Sequence, residues 1–333
     1  MQLKNKKILI TGGAGFIGSH LCEKLLKEEN AKITVFDNFS TGKISNLKSI
    51  ENKIKIIKGD IQNVKEIDKA SKSQDIIIHE AFPYGAATRS VDKQFVEDGT
   101  IGTFNVLRSA SKNNIKKVVY ASTVAVYGIK KTPPQKEEIT KNPFLPYGAT
   151  KYLGELYCSS FFNVYGLKTV SLRYFNVFGP RYATFDHSAM ILFLKKAIKN
   201  EDLIIYGTGK QIRDYTYVDD VVNGTILAIK NGTNGNSYNI AKGKGVSIIN
   251  LAKKIIKITG SKSKIHFAKQ NEYKIFGKSL PYGITKKINN KFTDERNYVG
   301  CINKAKTELR YQPKITLEEG ILKTFKWMKK ELK

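Results

Sequence analysis

Cysteine, acidic residues and long apolar runs are all scarce in this chain of 333 residues. The three cysteines, Cys22, Cys158 and Cys301, are odd in number, far apart and without a Cys-x-x-Cys or a paired histidine. That excludes a disulfide framework and gives no sign of a zinc or other metal site. No stretch of about 18 apolar residues occurs, so no membrane-spanning helix and no membrane partner is expected. Met1 to Lys7 leads straight into Ile8-Leu9-Ile10 with no signal-peptide pattern, and a soluble cytoplasmic protein is the expectation. Against 57 Lys and Arg stand only 29 Asp and Glu, a formal charge of +28. Within that excess arginine is itself rare, seven residues against 50 lysines, and the lysines are spread over the whole length. An even spread reads as solvated faces, so no specific nucleic-acid partner is expected, although an anionic small substrate would benefit from the field.

What is present is an alternation of short Val/Ile runs with helical patterns, in a chain long enough for one large or two modest domains. Lys7 to Ile10 reads as a buried strand, followed by Thr11-Gly12-Gly13-Ala14-Gly15-Phe16-Ile17-Gly18 and a helix over Ser19 to Glu28. Gly12, Gly15 and Gly18 suit a tight turn, close approach of backbone to a pyrophosphate, and close helix–strand packing, with the helix N-terminus toward the phosphates. The next strand, Ile33 to Phe36, ends in Asp37, about 20 residues on, where a carboxylate can accept from adenosine ribose hydroxyls and repel a 2′-phosphate. NAD is therefore favoured over NADP. The alternative for Asp37 is a turn residue before Asn38.

Tyr147 and Lys151 are four residues apart at the start of a helical pattern, hence on one face. The ammonium can lie beneath the phenol and favour its phenolate, which with a positively charged nicotinamide nearby suits acid–base work on a hydroxyl. Strand Lys117 to Ala121 carries Ser122 and Thr123 at its carboxyl end, where ligands of open α/β sheets bind. A strand-end hydroxyl that caps the following turn is the alternative for Thr123.

In order and spacing these segments resemble the extended short-chain dehydrogenase/reductase superfamily, specifically its nucleotide-sugar epimerase/dehydratase members. The resemblance rests also on Asp37-Asn38-Phe39-Ser40-Thr41-Gly42, Gly59-Asp60-Ile61, Val126-Tyr127-Gly128, Arg173-Tyr174-Phe175-Asn176, Gly179-Pro180-Arg181, Arg213-Asp214-Tyr215 and Val218-Asp219-Asp220. It implies a Rossmann-type doubly wound parallel sheet with helices on both faces and a smaller C-terminal α/β substrate domain. An NAD-binding, catalytic part is expected over residues 1–175 and a nucleotide-sugar-binding part over 176–333, interleaved rather than joined by a linker.

The resemblance further implies that Phe16, Ile17, Asn38, Ser40, Thr41, Gly42, Ser122 and Tyr174 join the glycines and Asp37 around NAD. Asp60 and Ile61 would hold the adenine, with an N-cap of the segment from Asn63 as an additional role for Asp60. Ala81 and Phe82 would lie along the cofactor, and Lys151 would hold its ribose. Tyr147 would take the proton from a sugar hydroxyl, at C4, while NAD takes the hydride, and Thr123 would position the oxygen. Tyr84, Asn176, Tyr206, Arg213 and Arg296 would meet the substrate, a UDP-sugar by resemblance, with a buried core ring as the alternative for Tyr206. For Arg173 and Arg181, structural ion pairing competes with ligand contact. Helices 91–112 and 147–164 are the pair that such enzymes use for a homodimer.

The chain departs from the family pattern at identifiable places. Phe82 stands where a small residue is usual, Gly99 where an asparagine is common, and Cys301 where an aspartate often follows Arg296. After Thr123, dehydratases typically carry Asp-Glu and UDP-glucuronate decarboxylases a glutamate. Val124 and Ala125 stand there instead and cannot transfer protons, which suits a simple 4-epimerase. Dehydratase, decarboxylase and reductase chemistry, and a non-catalytic dinucleotide-binding scaffold, are the competing readings.

Overall fold

The computed structural model describes residues 1–82, 96–129, 132–182, 188–268, 286–288, 291–293 and 297–331. Six strands in chain order, β1 (Lys7–Thr11), β2 (Lys32–Asp37), β3 (Lys55–Lys58), β4 (Ile76–His79), β5 (Lys117–Thr123) and β6 (Thr169–Tyr174), are joined by a seventh, Asn236–Ile240. They form one parallel sheet in the order β3-β2-β1-β4-β5-β6 and then Asn236–Ile240. The central strands are apolar on both faces because helices cover both. Ile8, Ile10, Ile76, Ile78, Val119 and Leu172 pack under helix α1 (Phe16–Glu29) and the helix Val218–Asn231. Leu9, Ile77, Val118 and Tyr120 pack under α2 (Val64–Ser71), α3 (Thr103–Lys112) and α4 (Pro146–Tyr165). Each such side chain is almost wholly buried, a gain of roughly 1.5–3 kcal/mol apiece before entropy.

Chain order reverses between β1 and β4, so a crevice opens at their carboxyl ends, where the doubly wound fold places its ligands. Two boundaries differ from the sequence expectation in ways that matter there. Helix α1 starts at Phe16, not Ser19, with Gly15 as its N-cap. Strand β5 runs two residues past Ala121 to Thr123, so Ser122 and Thr123 are its last two residues.

The interleaving beyond residue 175 takes a definite form. Val218–Asn231 and Asn236–Ile240 return to the central sheet. The remainder gathers helices Ala189–Ile198, Ile248–Thr259 and Leu317–Glu331 with short strand pairs, Leu203–Ile205 with Ile265–Phe267 and Ile212–Asp214 with Gly245–Ser247. Among the described residues no helix is long and apolar enough to cross a membrane.

Candidate active site

A cavity of about 480 Å³ lies along the carboxyl ends of β1, β2, β4 and β5 and reaches into the C-terminal lobe. Its floor is built by glycine. Gly12 has φ +71°, and a Cβ there would stand 2.6 Å from the backbone nitrogen of Ala81, while one on Gly18 would stand 2.3 Å from the Gly12 carbonyl oxygen. Only glycine lets the loop, β4 and α1 approach this closely. Helix α1 enters the cavity N-terminus first, with no side-chain cap and no acidic residue in its first turn. Its positive end is therefore uncompensated and suits a pyrophosphate.

Asp37, the last residue of β2, is buried, and its carboxylate accepts from the backbone N–H of Ala14 at 2.9 Å and of Phe39 at 2.8 Å. Both expectations for it hold in one geometry: the Phe39 bond makes the turn and the Ala14 bond ties down the glycine loop. Burial pushes its pKa up against these two bonds. Two N–H donors leave carboxylate lone pairs for ribose hydroxyls, so the residues present fit a dinucleotide.

Gly12, Gly15, Phe16, Ile17, Gly18, Asn38, Ser40, Thr41, Gly42, Ile61, Ala81 and Phe82 all line the cavity, as do Ser122, Thr123, Tyr147, Lys151 and Tyr174. Asp60 does not. Its carboxylate accepts from the Asn38 side chain at 3.0 Å and the Gln62 N–H at 2.8 Å. The cap of α2 is Asn63, whose side chain accepts from Lys65 and Glu66 N–H, so the N-cap expectation for Asp60 is corrected. Asp60 stands five and six residues ahead of those donors and braces Asn38 instead.

At the reacting end, Lys151 Nζ donates to the Ala121 carbonyl at 2.8 Å, 4.2 Å from the centroid of Phe82 and 5.1 Å from that of Tyr120. Burial brings its pKa down to about 8, and the nearby carboxylate of Glu80 pulls the other way. Tyr147 is half-buried on the same helical face, its ring edge-on to Phe82 at 5.3 Å. Thr123 Oγ1 accepts from the Ala125 N–H at 3.3 Å, so it caps the turn Val124–Tyr127 and also faces the cavity.

The departures Phe82 and Gly99 lie side by side. A Cβ on Gly99 would stand 2.2 Å from Thr150 Cγ2 and 2.9 Å from Phe82 Cε2, so the Thr150 methyl and the phenyl ring together fill the space that a side chain at 99 would need.

Of the arginines, Arg173 is structural. It is 3% exposed and pairs with Glu155 through Nη2 at 2.7 Å and Nε at 2.9 Å, while Nη1 donates to the Tyr127 hydroxyl. Ser122 Oγ donates to the same Glu155. Arg181 pairs with Glu23 at 2.6 Å and donates to Ser19 Oγ, on the wall of the cavity. Arg213 lines the cavity with its guanidinium 5.5 Å from the Tyr298 ring centroid. Asn176, also on the wall, has φ +27°, a conformation uncommon outside glycine, and donates to the Asp214 carbonyl at 3.2 Å. Tyr206 is half-buried and lies outside the cavity wall, which matches neither a base-stacking position there nor a fully buried core ring. Tyr84 and Arg296 lie outside the described residues, as do most of the polar stretch 268–297 and residues 91–95 of the first expected dimer helix.

Sequence reasoning missed Glu80 and Trp327. Glu80 follows Ile76–His79 and lines the cavity; a lone acid at the carboxyl end of an apolar parallel strand was the available signal. Trp327 is half-buried, packs against the apolar core and also reaches the cavity from the last helix.

Residues 8–241 match the profile of the NAD dependent epimerase/dehydratase family. A UDP-N-acetyl-alpha-D-glucosaminuronate decarboxylase of Bacillus cytotoxicus is 34% identical over 97% of this chain and 98% of its own. The crystal structure of a Thermotoga maritima UDP-glucose 4-epimerase with UDP-glucose is 31% identical, covers 98% of this chain and 100% of its own, and superposes with a TM-score of 0.85. That of a Bacillus cereus UDP-glucuronic acid 4-epimerase with UDP-glucuronic acid and NAD is 31% identical, covers 98% and 99%, and has a TM-score of 0.84.

Proposed function

This chain belongs to the NAD-dependent epimerase/dehydratase family of nucleotide-sugar enzymes, and on that premise we propose that it is a 4-epimerase of a UDP-sugar. The observation that carries the reading is the pair Val124 and Ala125, which line the cavity directly after Thr123 and offer no proton. Elimination of water from a sugar asks for an extra acid and base there; inversion at one carbon does not. The UDP-sugars in the structures of similar enzymes support the substrate class.

Bound NAD supplies the acceptor and donor of the hydride. The chain supplies the rest. The Tyr147 phenol oxygen takes the proton of the sugar hydroxyl and returns it, and Lys151 supports the phenolate and holds the ribose. Thr123 Oγ1 orients the reacting oxygen, while Arg213 and Asn176 hold the diphosphate end, where a planar guanidinium can bind two oxygens at once. In this reading the cofactor half is residues 1–175, and the segment beyond supplies the sugar-nucleotide contacts.

A panel of UDP-, GDP-, CDP- and dTDP-sugars followed by NMR tests it. Interconversion of a UDP-sugar pair without net NADH is the expected outcome. Release of carbon dioxide would instead place the chain with its decarboxylase relatives, and release of water with the dehydratases.

The expected assembly is a homodimer through α3 and α4. Ile101, Phe104, Leu156, Val164 and Tyr165 are exposed there, and the Phe104 ring meets Tyr157 and Phe161 at 5.7 Å, so the two helices share one apolar face. Light scattering at micromolar concentration should give twice the monomer mass; a monomer would refute this. The three free cysteines accord with a cytoplasmic location.

A further inference from the structure

A second cavity, about 590 Å³, opens at the other end of the sheet. It lies where β5, β6 and the neighbouring strand Asn236–Ile240 begin, and Lys116, Lys117, Lys168 and Lys230 stand on its wall with no acidic residue among the lining. Lys117 starts β5 and Thr123 ends it, so six strand steps, roughly 20 Å, separate this cavity from the reacting end. The proposed reaction uses none of these lysines.

The four are not equivalent. Lys116 pairs with Asp75 at 2.6 Å and Lys230 with Glu29 at 2.6 Å, so both are compensated. Lys117 and Lys168 have no carboxylate partner among the described residues. Lys168 is exposed, in keeping with the solvated faces expected from an even spread of lysine. Lys117 is the exception: it is 5% exposed, and its Nζ donates to the Gly232 carbonyl at 2.8 Å. Gly232 follows the helix Val218–Asn231, and an ammonium at a helix C-terminus complements the carbonyls there. That bond occupies one of three N–H groups and leaves two, on a side chain that lines the cavity. Capping accounts for one donor and supplies no counter-ion. An ammonium taken out of water without a counter-ion is costly, and burial, then the like charge of Lys168, brings the Lys117 pKa down to about 8.

Two like charges that bear on one another and line one cavity suit a multiply charged oxyanion. The wall narrows its class. It carries no guanidinium, so the flat two-pronged grip that arginine gives a carboxylate is absent. Lysine acts as a point charge on tetrahedral phosphate, whose oxygens point several ways, and a dianion matches the two uncompensated ammoniums. The Ser111 hydroxyl and the Asn234 amide belong to residues of the same wall and are of the type that donates to further oxygens. The volume exceeds that of phosphate alone and falls in the range of small-molecule sites.

We propose that this cavity is a phosphate-binding site held by Lys117 and Lys168, separate from the place of the nucleotide-sugar diphosphate, and that its ligand is free phosphate or a small phosphate monoester.

The test is thermal unfolding of the NAD-loaded full-length protein as inorganic phosphate replaces chloride at constant ionic strength. An anion bound only by the folded protein raises the transition temperature with its concentration. Lys168→Ala changes an exposed residue and should need about tenfold more phosphate for the same rise, the effect of one lost hydrogen bond from a charged donor. Arg213→Ala, in the reaction cavity, should respond as the wild type does. A hexose phosphate in place of inorganic phosphate separates the two sources: the same rise at lower concentration identifies an ester site, an equal response a site for free phosphate. Competitive acetylation across pH, with the Lys117 peptide quantified by mass spectrometry, reads the site directly. Its midpoint of about 8 should move up by about one pH unit when phosphate is added, because an anion favours the charged amine. No rise beyond that in chloride, a rise lost in Arg213→Ala but kept in Lys168→Ala, or an unmoved Lys117 midpoint would overturn the proposal. Neither measurement uses a sugar nucleotide, so the result is independent of the epimerase reading.

Discussion

Replacing Tyr147 with Phe should lower kcat by ~10²–10⁴-fold, the range general acid–base catalysis contributes, while leaving NAD bound and the fold intact. The prediction depends on geometry more than on residue type. Tyr147 is the second residue of α4, and its ring stands edge-on to Phe82, a contact that phenylalanine retains. Lys151 keeps its bond to the Ala121 carbonyl and its place on the cavity wall, so the dinucleotide contacts do not change. Only the phenol oxygen is removed. The loss should therefore fall on kcat with little change in KM, as expected for an interaction made in the transition state. Steady-state kinetics with the UDP-sugar found by the NMR panel, together with the NAD content of the purified variant, measure both quantities. Turnover within tenfold of wild type would remove Tyr147 from the centre of the mechanism.

Glu155→Ala should cost about 3–5 kcal/mol of stability, because removing one partner of a buried ion pair leaves the other charge uncompensated. Arg173 and Glu155 are 3% and 5% exposed, and the carboxylate also accepts from Ser122 and Ser237. The pair joins α4 to β6, and the Ser122 bond ties the same Glu155 to the end of β5, so the cluster braces the two elements that carry Thr123 and Tyr147. Urea unfolding of the variant measures the loss. If stability were unchanged and KM alone rose, Arg173 would be a substrate contact and the structural assignment would be wrong. Arginine thus divides by location: Arg173 is satisfied inside the protein, whereas Arg213 stands on the cavity wall.

Much of the site was legible because the relevant chemistry is local. The glycine loop is a constraint on backbone approach, and a backbone constraint is visible as an absence of side chains at 12, 15 and 18. Asp37 was placed by its distance from that loop, and the pairing of Tyr147 with Lys151 by helical spacing. Those positions all line one cavity. Asp214 and Asp220, quoted among the motifs without a role, turn out to be clamps on distant backbone: Asp214 accepts from Lys242, Gly243 and Gly300 N–H, and Asp220 from Lys314 and Ile315. Nothing in the local sequence announces a partner 86 or 94 residues away.

By itself the sequence determined the alternation of strands and helices, the dinucleotide loop, the acid that follows it and the tyrosine–lysine pair, since each is written in residues close together along the chain. Only the tertiary structure decided that Thr150 and Phe82 fill the space beside Gly99, that Arg173 serves Glu155 rather than a ligand, and that Glu80 shares a cavity with Lys151. Those outcomes depend on which side chains meet across the sheet's edge and how far water is excluded there. Burial and the sum of neighbouring charges are properties of the assembled fold, and no stretch of sequence carries them.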